Sequence, residues 1–387
     1  MPGCGTLGCS WRSLSRWASG AYLQVRRAIS ATRKTRLPAD CYGVPPSSLR
    51  LRLDHDALAA NWRTLDTMSG AASAGAAVKA DAYGLGARQV VPVLREAGCE
   101  DWFVAHWSEV PDLLPLVPPS RIAVLHGPLT GADAAYARAV GVRPVLNSLS
   151  QARLWGEAGG GPCDIMVDTG MSRLGFSRDE LGGTLTAGLE IECCHSHLAS
   201  ADEDVAQNAA QLSAFRDVRG QVAARRYSLA NSAGIALGAD YHFDLTRPGL
   251  ALYGGIARPE LADVIRQVAH PEVAVLQVRD ISAGDRVGYN ATFVAERAMR
   301  IGIVSVGYAD GYLRCWSGKG SLLRDGVSLP VIGRVSMDMT AIDISHASDC
   351  REGDWLEIEY RPEEAARITG LSQYELFTLL GRRFSRG

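Results

Sequence analysis

Ala74-Gly75-Ala76-Ala77-Val78-Lys79-Ala80-Asp81-Ala82-Tyr83-Gly84-Leu85-Gly86 decides how the rest of this 387-residue chain is read. A short apolar run ends on a lysine and passes at once into a glycine-punctuated turn, the pattern of a buried strand feeding a loop. Lysine is scarce here: Lys34, Lys79 and Lys319 stand among 40 basic residues, and all the others are arginine. Lys34 falls in a basic leader and Lys319 in a Gly/Ser-rich loop, so both read as solvated. An amine at the end of a buried strand is desolvated, which turns it into a nucleophile or a base. Arginine cannot take that role, because its guanidinium stays protonated.

Outward from this stretch, short apolar runs alternate with longer amphipathic ones. Asp54 is placed to cap a helix through Ala57, Leu58, Trp62 and Leu65, which recur at helical spacing. Strands are predicted over Ala74–Val78, Trp102–Ala105, Arg121–Leu125, Val142–Leu146, Asp164–Val167, Leu189–Cys194, Arg226–Leu229 and Phe243–Leu245. Eight strand-then-helix units have the size and rhythm of an α/β barrel of the (β/α)₈, TIM-like kind. Such a barrel carries its chemistry on the loops after the strands. Lys79, Arg173, His197, Ser232 and Arg247 follow strands one, five, six, seven and eight in that manner. Past residue 262 the pattern changes to long alternating runs (Glu272–Ile281, Met299–Val306, Val335–Ile344, Trp355–Tyr360) without helices between them. This predicts a mostly antiparallel C-terminal β-domain, then a short helix around Glu375–Leu380. The expected organisation is a leader over 1–48, the barrel over 49–262 and the β-domain over 263–387.

Composition narrows the function classes. A chain 47% hydrophobic and 21% charged, with a net charge of −2, is an ordinary globular protein with no electrostatic reason to seek nucleic acid or an anionic membrane. No apolar run reaches the ~18 residues of a membrane span. The nine cysteines are odd in number and form no CxxC pair, which favours free thiols in a reducing cytoplasm. Residues 1–48 hold seven cations and a single acid, Asp40. That resembles an organelle transit peptide; we read it instead as an over-extended translation start that carries no chemistry.

The loops after strands seven and eight read Asn231-Ser232-Ala233-Gly234 and Arg247-Pro248-Gly249-Leu250. In barrels these two loops often build a phosphate site. A phosphate site together with a lone buried lysine suggests pyridoxal 5'-phosphate held as a Schiff base. At this point the chain is identified by resemblance. Val78-Lys79-Ala80-Asp81-Ala82-Tyr83-Gly84-Leu85-Gly86 resembles the pyridoxal-lysine signature of bacterial alanine racemases. Asp168-Thr169-Gly170-Met171-Ser172-Arg173-Leu174-Gly175, His197-Leu198-Ala199-Ser200-Ala201-Asp202 and Arg247-Pro248-Gly249-Leu250-Ala251-Leu252-Tyr253-Gly254 match the same family in its order. So do Gly288-Tyr289-Asn290-Ala291-Thr292, Gly307-Tyr308-Ala309-Asp310-Gly311 and Gly333-Arg334-Val335-Ser336-Met337-Asp338-Met339.

The resemblance implies interconversion of L- and D-alanine by two-base proton transfer, supplying D-alanine for peptidoglycan. Lys79 would hold the cofactor and act as base on one face of the substrate Cα. Tyr289 would act on the other, delivered by the partner subunit of a homodimer. Tyr83, Ser232, Gly249 and Leu250 would hold the phosphate. Arg247 would face the pyridine nitrogen, where a permanent cation weakens the electron sink and suppresses transamination. Arg173 would contact the cofactor phenolic oxygen and the substrate carboxylate, and the Met337 backbone amide would reach that carboxylate from the second subunit. His197 would help lower the Tyr289 pKa, Tyr308 would narrow the entrance and Asp338 would support its wall.

Three positions depart from the family. Many members carry a carbamylated lysine seven residues before the motif arginine; this chain has Met166, so something else must hold Arg173. The glycine before that arginine is Ser172. Some members place a phosphate-contacting tyrosine near the C-terminus, where the alignment sets Gly381, so no such contact is expected. Read alone, Tyr289 is an ordinary packed tyrosine, Arg173 and Arg247 are salt-bridged surface residues, and Cys193-Cys194 is buried filling. His195 and His197 form an HxH pair of the kind that binds zinc, yet no acidic cluster completes a site and no metal is expected. Other readings are a broad-specificity or serine racemase, a non-enzymatic pyridoxal-phosphate protein, and a barrel decarboxylase or metal-assisted aldolase. The Tyr289 motif and the β-domain favour the alanine enzyme.

Overall fold

The computed structural model describes residues 45–181 and 188–386. Of the leader expected over 1–48, residues 1–44 lie outside the described residues, and all that follows belongs to the unit Ser47–Gly387. The chain enters through strand β1 (Leu49–Leu53) and helix α1 (His55–Ser69). Asp54 caps α1, its carboxylate accepting the Ala57 N–H at 2.8 Å, and the predicted Ala57, Leu58, Trp62 and Leu65 form the buried face.

The first barrel strand divides at Gly75 into β2 (Ser73–Ala74) and β3 (Ala76–Ala77). A Cβ at Gly75 would stand 2.8 Å from Asp101 O and 2.9 Å from Phe103 Cε2, so the approach of the neighbouring backbone admits only glycine. Around it, successive N–H groups turn to opposite neighbours. Gly75 and Ala77 donate to Thr246 O and Pro248 O, whereas Ala76 and Val78 donate to Asp101 O and Phe103 O. From β3 a parallel sheet runs through β4 (Trp102–Val104), β5 (Ile122–Val124), β6 (Arg143–Leu146), β7 (Pro162–Met166), β8 (Glu190–His195) and β9 (Arg226–Ser228), in chain order. β10 (Leu245–Thr246) pairs with β2, and Asp244 N and Arg247 N donate to Tyr227 O and Ala230 O, so the ring closes. β4, β5 and β6 are buried at every residue, as parallel strands covered on both faces must be. Helices α2 (Ala87–Ala97), α3 (Gly131–Val140), α4 (Leu149–Glu157) and α5 (Ala206–Gln221) lie in the crossovers, and α6 (Ser232–Ala236) follows β9. The eighth strand starts at Leu245 and not at the predicted Phe243, because Phe243 takes a left-handed backbone with φ 54°.

The second sheet is antiparallel and joins the ends of the chain. β1 pairs with β11 (Ala269–Ile281), Leu49 opposite Val273, so residues 49–53 are a strand of this sheet and not of the barrel. Their burial alternates, Leu49 and Leu51 inward and Arg50 and Arg52 outward, as a sheet with one wet face requires. A small hairpin of β12 (Arg286–Val287) and β13 (Phe293–Val294) projects from it, with Tyr289 at its turn. β14 (Met299–Val304), β15 (Ser321–Arg324), β16 (Val327–Ile332), β17 (Thr340–Asp343) and β18 (Trp355–Ile358) complete the order β1-β11-β14-β17-β16-β15-β18, and β18 pairs back to β11. A register shift between Val275 and Gln277 lets β11 face β1 and β18 in its first half and β14 in its second. The strand predicted over Val335–Ile344 is confined to β17; residues 335–339 form a loop. Helices α7 (Pro362–Thr369), which the sequence reading missed, and α8 (Gln373–Leu379) end the chain. Among the described residues no helix is long and apolar enough to cross a membrane.

Candidate functional site

A cavity of about 560 Å³ opens where the barrel strands end, within the size range of small-molecule and cofactor sites. Lys79 enters it directly after β3. Behind Lys79 the chain does something L-residues avoid: Ala80, Asp81, Ala82 and Tyr83 all have φ between 53° and 57°. This is a turn of left-handed helix, costing about 1–2 kcal/mol per residue. Its surroundings hold it in place. Glu109 accepts the Ala80 N–H with one oxygen and the Ala105 and His106 N–H groups, each at 2.8 Å, with the other. Asp81 accepts Ala87 N at 2.7 Å, and the Arg386 guanidinium donates to Gly84 O at 2.6 Å.

The turn delivers Tyr83 into the cavity wall, packed against Tyr253 at 4.9 Å and near Tyr374 at 6.1 Å between ring centroids. A Cβ on Gly249 would lie 2.3 Å from the Tyr83 hydroxyl, so glycine there is what lets the phenol approach the backbone at 249–250. Ser232 Oγ accepts the Gly249 and Ala251 N–H groups at 2.9 and 3.2 Å, tying the loop after β9 to the loop after β10. Asn231 caps α6 through Gly234 N at 2.9 Å.

Arg173 rides on the loop after β7. Asp168 pins that loop by accepting Gly170 N and Met171 N, each at 2.8 Å. Ser172, standing where the family has glycine, takes φ 57°. Arg173 makes no hydrogen bond or ion pair among the described residues, and Met166, in the position of the family's accessory lysine, offers the cavity only a thioether. Arg247 is buried and, among the described residues, makes no ion pair with a carboxylate. Its Nη1 reaches Ser228 Oγ and, at 3.4 Å, His195 Nδ1, while Nη2 donates to Ser196 O at 2.6 Å.

The field in the cavity is cationic. Burial lowers the Lys79 pKa, and Arg173 lowers it further; Glu109 opposes them and Arg247 adds to the depression. Burial and the charges of Arg247, Arg173 and Lys79 hold His197 neutral, well below the usual imidazole range. Burial brings Arg247 down to about 10, still a cation at neutral pH. An amine and a guanidinium with no hydrogen-bond partner among the described residues, and the Tyr83 and Ser232 hydroxyls, line one cavity. Asp168 also reaches it, with one carboxylate oxygen taken by backbone. That donor set suits an anionic, aldehyde-bearing ligand, and pyridoxal phosphate has those properties.

Eight predicted residues therefore meet in one cavity: Lys79, Tyr83, Arg173, His197, Ser232, Arg247, Gly249 and Leu250. Four do not join them within the chain. Tyr289 and Met337 are 66% and 52% exposed, and Tyr289 lines a separate hollow with Arg334, Ser336 and Met339. Asp338 accepts Arg383 Nη1 at 2.8 Å, and Tyr308 lies under the Arg314 guanidinium at 5.2 Å. Glu109, His126 and Tyr374 were missed in the sequence. Tyr374 corrects the alignment that set Gly381 near the cofactor: Gly381 is bonded to Asp310 O at 3.1 Å, while Tyr374, one helix earlier, lines the cavity. His195, read as one half of an HxH pair, is fully buried against Asp164, and among the described residues no three His, Cys, Asp or Glu side chains group as metal ligands.

Comparison with known proteins agrees with this geometry. The family described as alanine racemase, N-terminal domain, matches residues 53–257, and alanine racemase, C-terminal domain, matches residues 268–387. The biosynthetic alanine racemase of Agrobacterium fabrum is 42% identical over 87% of this chain and 93% of its own length. The alanine racemase of Rhizobium meliloti is 40% identical over 88% of this chain and 96% of its own. Among solved structures, alanine racemase from Bartonella henselae with covalently bound pyridoxal phosphate superposes with a TM-score of 0.81 at 36% identity, covering 88% of this chain and 99% of that one. Biosynthetic alanine racemase from Pseudomonas aeruginosa gives 0.78 at 31%, over 88% and 98%. The chain belongs to the alanine racemase family.

Proposed function

We propose that this chain interconverts L- and D-alanine, using pyridoxal phosphate bound through Lys79, in a homodimer whose active sites are shared. The observation that carries the reading is the Lys79 amine, desolvated at the end of β3 and without a hydrogen bond among the described residues, in a cavity whose other polar groups are mostly donors. When bound, the cofactor supplies the electron sink that makes the Cα proton of alanine removable. Tyr83, Ser232 and the Gly249–Leu250 backbone hold its phosphate, with Tyr374 closing that side. Arg247 faces the ring nitrogen and, as a lasting cation, keeps a proton off it. Arg173 binds the phenolic oxygen and the substrate carboxylate.

Two bases are needed, one per face of Cα. Lys79 moves the proton on one face, its lowered pKa making the free amine easier to reach than on an exposed lysine. Tyr289 moves it on the other. It is exposed and lines a hollow separate from its own chain's cavity, which suits a group offered to a second subunit. His197 then sits beside the incoming phenol, the Met337 amide reaches the substrate carboxylate, and Tyr308 and Asp338 form the entrance. The physiological role that follows is the supply of D-alanine for peptidoglycan, in the cytoplasm. The test is incubation of the holoenzyme with L-alanine, L-serine and L-lysine in D₂O. Alanine should gain Cα deuterium and D-isomer faster than the others. Faster turnover of serine would favour a serine or broad-specificity racemase, and no exchange on alanine with cofactor bound would sink the assignment.

A further inference from the structure

Beneath Arg247 the barrel interior holds a line of buried charges that the reaction proposed above does not use. Arg226 grips Asp101 with two bonds of 2.7 Å. Arg143 lies 3.6 Å from Asp101 and 3.2 Å from Asp164. The other Asp164 oxygen is 3.1 Å from His195 Nε2, and His195 Nδ1 is 3.4 Å from Arg247 Nη1. Asp164 and His195 have no solvent exposure.

The tautomer follows from the partners. A guanidinium only donates, so Nδ1 must present its lone pair to Arg247, and the ring proton sits on Nε2 and points at Asp164. Ser228 is oriented by the same logic: its hydroxyl donates to Leu245 O, which leaves an oxygen lone pair for Arg247. Packing alone does not require histidine here. The ring meets Phe103 edge-on at 5.7 Å, a contact a leucine could fill, but a leucine would leave the buried Asp164 carboxylate and Arg247 without the imidazole that lies between them. Without Asp164, Arg143 and Arg247 would be two buried cations facing each other across a neutral ring.

We propose that His195 and Asp164 are positioning residues for Arg247: the imidazole fixes the direction of the guanidinium, and the carboxylate balances its charge at the cavity floor. This rests on the reading of Arg247 as the group that faces the cofactor ring nitrogen. A misaligned or uncharged Arg247 leaves that nitrogen free to take a proton. A stronger electron sink then favours a side reaction in which the proton taken from Cα would return to the cofactor's aldehyde carbon and water would cleave the alanine C–N bond, releasing pyruvate and leaving the nitrogen on the cofactor as an amine.

The experiment compares holoenzyme carrying His195→Leu, His195→Gln or Asp164→Asn with the parent, for kcat, KM and pyruvate formed per racemisation. A glutamine amide accepts from Arg247 and donates to Asp164, so it preserves the relay. Loss of a group that orients an active-site residue typically costs about 10–100-fold, so His195→Leu should lose that much kcat with KM little changed and pyruvate per turnover raised. His195→Gln should recover most of both. A folded, cofactor-loaded His195→Leu enzyme with parental kcat and parental pyruvate yield would overturn the proposal, as would a glutamine variant as damaged as the leucine one. If His195→Leu does not fold, Asp164→Asn decides instead, since its amide oxygen can still accept from His195 while the charge, and one acceptor toward Arg143, are lost; parental kcat and pyruvate yield would again overturn it. An inactive parent sinks the racemase reading itself, whereas an active parent with unaffected variants sinks only this inference.

Discussion

The barrel cavity and the Tyr289 face of the β-domain are opposite kinds of place. The cavity is recessed and cationic, and Asp168, Asn231, Ser232 and Arg247 are tied to backbone around it. The Tyr289 face is an exposed hairpin turn whose phenol makes no hydrogen bond among the described residues. On the function proposed above, one region lacks a second proton carrier and the other holds a proton carrier without a site. A single-chain enzyme would waste both, and two copies arranged reciprocally would waste neither.

The largest expected effect comes from Lys79→Ala. It should remove the covalent cofactor link and lower racemisation more than about 10⁴-fold. Mass spectrometry after borohydride reduction checks it, and an adduct that survived on Lys34 or Lys319 would break the picture. Tyr289→Phe comes next: losing one general acid–base costs about 10²–10⁴-fold, with the cofactor still on Lys79. The sharper test mixes the two inactive variants. If each site takes its lysine from one subunit and its tyrosine from the other, random reassortment restores roughly a quarter of the parental rate. If Tyr289 acts within its own chain, the mixture stays dead.

A third difference between the regions is their response to acid. Burial holds His195 neutral, with its pKa pushed down to about 4. The unfolded chain therefore takes up a proton that the folded barrel refuses. Stability is full above an unfolded pKa near 6.5 and falls as pH drops towards 4, by about 3 kcal/mol across that window. Thermal melts between pH 7 and 4 should show the fall, and His195→Gln should flatten it. A slope unchanged in that variant would assign the acid sensitivity elsewhere. The smallest expected effect is Ser172→Gly. It should relieve the left-handed backbone before Arg173 and raise stability by about 1 kcal/mol or less, since glycine also loosens the unfolded chain. A lowered melting temperature would mean the serine side chain contributes more than its backbone costs.

Much of this was legible in the sequence, for identifiable reasons. Lysine scarcity isolated Lys79, and strand ends at regular spacing placed Arg173, His197, Ser232 and Arg247 at one level, because a barrel's periodicity is written in local pattern. Long-range pairing is not. Nothing in Leu49–Leu53 says that its partner is β11 more than 200 residues later. Glu109 was hidden because it binds backbone N–H groups, which leave no trace in side-chain motifs. Tyr374 was lost to an alignment counted a few residues too far. His195 was read against metal ligands, when its partner is the carboxylate of Asp164 one strand away. Met166 was legible as a missing lysine, and among the described residues Arg173 has no hydrogen-bond or ion-pair partner.

The turn from Ala80 to Tyr83 has a stereochemical consequence. Left-handed helical backbone is strained for L-residues and relaxed for their mirror images, so two of its positions, Ala80 and Ala82, are sites that D-alanine would occupy more comfortably than L-alanine. A semisynthetic chain with D-alanine at both should melt at a higher temperature than the ribosomal one. If the reading above holds, the lysine beside that turn makes the very enantiomer its own backbone would prefer, and translation cannot supply it.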